Sequence, residues 1–192
     1  MQNNIEYKIV FIGSQNVGKT SLIQKKKYNT FRNFYAPTYG ASYSCISQTL
    51  DNTICDIHIW DTSGQSRFRE LLPIYYNDAH CIIIMFDLSK KESFLEAIQI
   101  FKNLQLHDQT LFLIGNKLDN KEKKISVTDV NKHFNNLIQY IEISVKDNIH
   151  LNIFEKILKQ NISQFIKKVN REKDGVLDFK KEKKQNRKCV IM

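Results

Sequence analysis

The chain has 192 residues, which suits one globular domain with a tail, and 42% of them are hydrophobic, enough to form a core. No apolar run approaches the ~18 residues that span a bilayer, and the start of the chain has neither a signal peptide nor a myristoylation glycine. The four cysteines form no Cys-x-x-Cys pair. We therefore expect a cytosolic protein without a disulfide framework or a zinc site.

The net charge of +9 is concentrated near the end of the chain. Residues 167–188 contain ten Lys or Arg and four Asp or Glu, a net of +6, which leaves +3 for the rest. The basic residues form no surface interleaved with aromatic residues within the domain, so nucleic acid is not an expected partner. We expect one domain over residues 1–169 and a disordered polybasic tail over residues 170–192.

The apolar pattern predicts alternating strands and helices. Buried strands are expected at residues 5–12, 81–86, 111–114 and 140–143, and a hairpin of two strands, 41–50 and 53–60, around Asp51-Asn52. Helices are expected from residue 22, over 94–104, after Thr128 as N-cap, and over 154–169. The segments after the first helix and after Asp61, which contain the two prolines, are expected to be long and irregular. This order is typical of an α/β fold with a mostly parallel six-stranded sheet, one antiparallel edge strand, and helices on both faces.

A phosphate-binding loop is indicated at residues 13–20, Gly-Ser-Gln-Asn-Val-Gly-Lys-Thr, between the first strand and the first helix. Glycines let backbone N–H groups turn toward phosphate oxygens, and the helix N-terminus adds its positive end. Lys19 would neutralise the β- and γ-phosphates, and the Thr20 hydroxyl would bind Mg²⁺. The expected nucleotide contacts here are Ser14, Gln15, Asn16, Val17, Gly18, Lys19, Thr20 and Ser21.

A base-recognition motif, Asn116-Lys117-Leu118-Asp119, follows the strand at 111–114. Its side chains are expected at the carboxyl edge of the sheet, where ligands bind in such folds. The Asp119 carboxylate can accept from both the ring N–H and the exocyclic amine of guanine, a pair that adenine lacks. Taken alone, the tetrapeptide is also compatible with a polar turn.

Between these motifs stands Asp61-Thr62-Ser63-Gly64-Gln65. With all three, the chain resembles the Ras superfamily over about residues 5–169. Residues 60–68 are most similar to the Rab branch and differ from it at Ser63 and Ser66. The resemblance implies a P-loop NTPase small G domain that binds GTP or GDP with Mg²⁺ and hydrolyses GTP slowly, accelerated by a partner.

The resemblance also implies roles for individual residues. Thr38 corresponds to the threonine that meets Mg²⁺ and the γ-phosphate, and Gly64 to a backbone donor to that phosphate. Asp61 would hold Mg²⁺ through water, and Gln65 would orient the attacking water. The implied metal residues are thus Thr20, Thr38 and Asp61, and the implied catalytic residues are Lys19, Thr38 and Gln65.

Further implied contacts lie outside the phosphate region. Phe31 resembles the aromatic residue that packs against the base, and Ser144-Val145-Lys146 resembles the second guanine loop. The effector-binding aromatic residues would be Tyr43, Trp60 and Tyr75. Each of these four aromatic residues is also compatible with an ordinary core position.

Gln15 and Asn16 stand where Ras has two glycines, and a bulky side chain beside the γ-phosphate could crowd the attacking water. A GTP-binding scaffold that does not hydrolyse GTP is therefore an alternative to a switch. Retention of GTP without phosphate release would distinguish it.

The chain ends Cys189-Val190-Ile191-Met192, a C-a-a-X box whose final Met favours farnesylation. One lipid binds only marginally, but six Lys or Arg between residues 180 and 188 can add ~1 kcal/mol each near an anionic leaflet. We therefore expect a peripheral protein on the cytosolic face of a membrane. Rab proteins mostly end in paired cysteines, so a Ras-like signalling switch is the alternative to a Rab-like role in trafficking. Expected partners are an exchange factor, a GTPase-activating protein, effectors, a prenyltransferase and the anionic membrane.

Overall fold

A computed structural model describes residues 4–134 and 138–188, with side chains through residue 172. The strands are β1 (Ile5–Ile12), β2 (Ala41–Leu50), β3 (Thr53–Thr62), β4 (Cys81–Asp87), β5 (Thr110–Asn116) and β6 (Gln139–Glu142). The helices are α1 (Lys19–Tyr28), a 3₁₀ helix (Ser66–Leu71), α2 (Leu72–Tyr76), α3 (Lys91–Asn103), α4 (Val127–His133) and α5 (Leu151–Lys188). No helix in the described part of the chain is long and apolar enough to cross a bilayer.

The strands form one sheet in the order β2-β3-β1-β4-β5-β6. Edge strand β2 is antiparallel to β3, and the other neighbours are parallel. The hairpin between β2 and β3 turns at Asp51 and Asn52, both with positive φ (48° and 60°), a conformation that Asp and Asn tolerate in two-residue hairpin turns. The predicted mostly parallel α/β sheet with one antiparallel edge strand is confirmed.

Helices cover both faces of the sheet, and β4 shows why its sequence is continuously apolar. Ile83 and Met85 belong to a core cluster that includes residues of α1 and α5. Ile82 and Ile84 belong to a second cluster, with residues of α2, α3 and α4. Because alternate residues of a strand point to opposite faces, every residue of β4 is buried.

Two local expectations are wrong. The N-cap of α4 is Ser126, not Thr128: the Ser126 side chain accepts from the Asp129 backbone N–H, and the Asp129 carboxylate accepts from the Ser126 N–H. This reciprocal pair satisfies two N-terminal donors, so it decides where the helix begins. The segment after Asp61, expected to be irregular, contains the 3₁₀ helix and α2, which has a proline in its first turn.

Helix α5 also differs from expectation, since it continues to Lys188. Residues 170–188, expected to be disordered, are therefore helical in this structure. Lys, Arg, Glu and Gln have good helix propensity, and the apolar stripe on the first turns anchors the helix to the core. The domain boundary at residue 169 stays a prediction.

Adjacent residues on α3 provide a test of this core. Phe94 is 5% exposed and packs against Phe86 and Phe134, whereas Leu95 is 59% exposed. Phe94→Ala should lower the free energy of unfolding by about 3–5 kcal/mol, because a cavity replaces the ring. Leu95→Ala should change it by less than about 0.5 kcal/mol. Urea denaturation measures both, and equal effects would contradict the packing described here.

Candidate nucleotide and metal site

A cleft of about 500 Å³ opens at the carboxyl edge of the sheet. Residues that follow several different strands line this cleft, because the carboxyl ends of parallel strands meet at one edge of the sheet. The expected nucleotide residues that line it are Gln15, Asn16, Gly18, Lys19, Thr20, Ser21, Phe31, Thr38, Gly64, Asn116, Lys117, Asp119, Val145 and Lys146. Segments 32–37 and 62–63 also line it, without having been expected.

The loop between β1 and α1 places a buried cation inside this cleft. Gly18, the N-cap of α1, has φ 104°, a left-handed conformation that favours glycine. Lys19 is 6% exposed, and its Nζ donates to the carbonyls of Gly13 (2.7 Å) and Ser14 (2.8 Å). Burial lowers the pKa of Lys19 to about 8, although Asp61 and Glu96 act in the opposite direction. A desolvated ammonium at a helix N-terminus suits a phosphate anion.

Asn116 joins the two halves of the cleft. Its Nδ2 donates to the carbonyl of Val17 in the phosphate loop (2.8 Å), and its Oδ1 accepts from the Val145 backbone N–H (3.2 Å). A Cβ atom on Gly18 would come 2.2 Å from the Asn116 Nδ2, so only glycine leaves room for this side chain. The phosphate loop and the predicted base loop are thus held by one buried amide.

The predicted base-binding carboxylate is also fixed by its neighbours. The Ser144 hydroxyl donates to Asp119, and the Asp147 backbone N–H donates to the Ser144 Oγ at 3.0 Å. Lys117 lies 2.8 Å from Asp87 at the end of β4. Burial raises the pKa of Asp87, but hydrogen bonds from Lys117 and Ser89 outweigh that effect and lower it below its usual value. Asp87 therefore holds Lys117 as a stable ion pair at the rim of the cleft.

Three expected metal residues converge beside Lys19. The Thr20 hydroxyl donates to Asp61 Oδ2 (2.6 Å), and the Thr38 hydroxyl lies 3.3 Å from the same oxygen and 3.2 Å from that of Thr20. Within the described residues, Asp61 Oδ1 is buried without a hydrogen-bond partner, and burial raises the pKa of this carboxyl. Carboxylate and hydroxyl oxygens suit a hard cation such as Mg²⁺. With only one carboxylate, the site fits an ion that also takes phosphate and water ligands.

Gln65 lies next to the cleft but does not line it. Its side-chain Oε1 accepts from Arg67 Nε at 2.8 Å, and the residue caps the 3₁₀ helix with extended backbone angles. To orient a water at the γ-phosphate, this side chain must exchange the Arg67 contact for one in the cleft.

The three predicted effector residues form one continuous aromatic surface. The ring of Trp60 lies 5.3 Å from Tyr43 and 5.6 Å from Tyr75, centroid to centroid. Tyr43 is 52% exposed, while Trp60 and Tyr75 are half-buried against the core. The sequence was compatible with either a core or a surface position for Trp60. In the structure, Trp60 lies at the boundary between core and surface.

Some expected residues lie elsewhere. Ser14 directs its hydroxyl to Glu96 on α3, and Val17, Asp61 and Ser144 support the cleft from behind its lining. Cys189 lies outside the described residues. Sequence reasoning missed Asp87, which its position at the end of a predicted strand could have suggested, and Glu96, for which the sequence offers no signal.

The phosphate loop, the oxygen cluster beside it and the base loops, on this sheet, define a nucleotide-binding protein of the P-loop class. A family model described as the Ras family matches residues 8–164. The chain belongs to the Ras family. It is therefore a small GTPase switch in general terms, of a family that binds GTP and GDP with Mg²⁺ and works through regulators and effectors.

Removal of the Asn116 side chain should loosen both halves of the site. Asn116→Ala leaves the Val17 carbonyl and the Val145 N–H buried without partners, at about 1–3 kcal/mol each. The free energy of unfolding should fall by about 2–4 kcal/mol, and bound nucleotide should dissociate more than about tenfold faster. Urea denaturation and release of fluorescent GDP measure these effects. Asn152→Ala, on the exposed side of α5, is the control, and equal behaviour of both variants would contradict the bridging role.

Proposed function

We propose that the protein binds GTP and hydrolyses it slowly to GDP and phosphate, as a membrane-anchored switch of the Rab-like type in vesicle or membrane trafficking. The observation on which this rests is the convergence of Lys19, Thr20, Thr38 and Asp61 at one end of a cleft that contains Asp119 at the other. The first end suits a triphosphate with a metal ion, and the second suits a guanine base.

Guanine selectivity is proposed for Asp119. Its carboxylate lines the cleft and is held by the Ser144 hydroxyl, so its position is set before a base binds. Adenine would leave this carboxylate without its two donors, and an unmatched polar group in a closed site is costly. Phe31 lines the same cleft and packs partly against the core. This position is compatible with packing against a base and with a role in the core.

Hydrolysis is proposed as in-line attack of water on the γ-phosphorus, with cleavage of the bond to the β-phosphate oxygen and release of GDP. Lys19 neutralises charge on the phosphates, and Gln65 orients the water. Mg²⁺, when held by Thr20, Thr38 and Asp61, would neutralise further phosphate charge. Arg67 contacts Gln65, and Arg69 contacts Glu96. Neither arginine lines the cleft, which supports slow intrinsic turnover.

The switch would operate through two segments beside the γ-phosphate, one that contains Thr38 and one that contains Gly64. Contacts of Thr38 and Gly64 with that phosphate are lost on hydrolysis, so both segments can relax. The aromatic surface of Tyr43, Trp60 and Tyr75 adjoins them and would change with them. Its continuity supports the Rab-like proposal, because it offers one apolar patch to an effector.

The membrane role is proposed from the tail. Cys189 would receive a prenyl group, and the basic residues between 180 and 188 would contact the anionic cytosolic leaflet. The single cysteine is the specific observation that favours the second candidate, a Ras-like signalling switch. An exchange factor, a GTPase-activating protein, effectors and a prenyltransferase are the proposed partners.

Single-turnover GTP hydrolysis with Mg²⁺ tests the proposed reaction. The wild type should turn over slowly, and Gln65→Leu should lower the rate by about 10²-fold or more, because the water is no longer oriented. A large excess of ATP should not compete. Tight GTP binding without phosphate release in the wild type would favour the non-hydrolysing scaffold, for which Gln15 and Asn16, both at the cleft, are the responsible features.

Vesicle binding by the prenylated full chain tests the membrane role. Deletion of residues 180–192 should lower affinity for vesicles with anionic lipid by more than about 100-fold, since each basic residue adds ~1 kcal/mol. Cys189→Ser should remove the lipid contribution alone. GTP affinity should be unchanged in both variants. Binding that persists after the deletion would place the membrane contact elsewhere on the protein.

A further inference from the structure

One carboxylate of α3 contacts two segments of the nucleotide site. The Ser14 hydroxyl, in the phosphate loop, donates to Glu96 Oε2 at 2.6 Å. The Nη2 of Arg69 lies 3.3 Å from the same oxygen. Arg69 belongs to the 3₁₀ helix that begins directly after Gln65. Glu96 therefore joins the loop that surrounds the phosphates to the segment that contains the proposed water-orienting residue.

The backbones of these two segments are also in direct contact. A Cβ atom on Gly64 would come 2.4 Å from both the Gln15 backbone N and the Ser14 carbonyl carbon. Gly64 thus packs on the phosphate loop immediately before Gln65. The segment is held at two points, at Gly64 by backbone packing and at Arg69 by Glu96, with Gln65 between them.

The contacts of Glu96 with Ser14 and Arg69 form a bridge that contributes little to the stability of the fold. The side chains of Glu96 and Arg69 are each 41% exposed, and exposed ion pairs contribute little to stability because water screens them. Contacts from one carboxylate of α3 to the phosphate loop and to the 3₁₀ helix can instead limit the arrangements that these two segments adopt, which is the requirement for orienting a water molecule.

We propose that Glu96 is a positioning residue for hydrolysis: by binding Ser14 and Arg69, it holds the 3₁₀ helix against the phosphate loop and so sets the position of Gln65. This inference rests on the proposed function, because Gln65 must act on GTP for its position to matter. Glu96 touches no reacting atom, and its effect passes through Arg69 and the helix that Gln65 caps.

The first test is single-turnover hydrolysis by the full chain with GTP and Mg²⁺. Glu96→Ala should slow the reaction by about 5- to 10-fold, as for loss of one charge-assisted contact, while GTP affinity stays within about twofold. Glu96→Gln, which keeps an acceptor oxygen, should recover part of the rate. Arg69→Ala should slow the reaction by no more than Glu96→Ala does, and the double variant should be no slower than Glu96→Ala, since that change already removes the contact with Arg69.

The second test measures how firmly residues 64–72 are held in place, and it does not require hydrolysis of GTP. Hydrogen exchange of residues 64–72 should be faster in Glu96→Ala than in the wild type, with no change in residues 81–87 of β4. Glu92→Ala, at an exposed position one turn earlier on α3, should leave both the rate and the exchange unchanged.

The two tests separate the proposals. Unchanged exchange in residues 64–72, or additive losses in the double variant, would overturn the positioning role while leaving hydrolysis intact. Absence of turnover in the wild type together with faster exchange in Glu96→Ala would instead overturn the hydrolytic function, and with it the role of the bridge in catalysis.

Discussion

The buried side-chain amide of Asn116 is the contact on which the nucleotide site depends. It donates to the Val17 carbonyl and accepts from the Val145 N–H, so it connects the loop after β1 to the loop after β6. These loops follow two different strands of the sheet. Because the amide is buried, breaking either hydrogen bond leaves a polar group unsatisfied. The phosphate and base ends of the cleft are consequently held at a fixed separation, which suits a ligand, such as a nucleotide, that is bound at both of its ends.

The phosphate end contrasts with the base end, because several of the contacts between its segments involve the partly exposed side chains of Thr38, Arg69 and Glu96. Thr38 reaches Asp61 at 3.3 Å, and Glu96 binds Arg69 at 3.3 Å with both side chains 41% exposed. Such contacts stabilise one arrangement only slightly over others. In the proposed function, a small change at the γ-phosphate would shift them, as a switch requires.

The aromatic surface of Tyr43, Trp60 and Tyr75 connects the phosphate end of the cleft to the outside of the molecule. Trp60 lies at the end of β3, directly before Asp61, and its ring contacts both Tyr43 on β2 and Tyr75 on α2. One strand end thus places the proposed metal-binding carboxylate of Asp61 on one side and the centre of an apolar patch on the other. Any rearrangement of the segments around Asp61 alters this patch, which provides a physical route from nucleotide state to partner binding in the proposed function.

The sequence by itself determined the sheet, the phosphate loop and the base motif, because each depends on local patterns. The apolar run at β4 requires cover on both faces, and Gly18 with Lys19 requires the turn between a strand and a helix. The cap of α4 is local too, since Ser126 and Asp129 are three residues apart and each side chain bonds the other's backbone, so the prediction of Thr128 misjudged a local pattern. Other features were decided only by the tertiary structure. Helix α5 extends to Lys188, beyond the expected end of order, from first turns that are anchored on the core. The bridge from Ser14 through Glu96 to Arg69 joins residues up to 82 positions apart, and no periodicity or motif records which distant side chains the packing of α3 brings together.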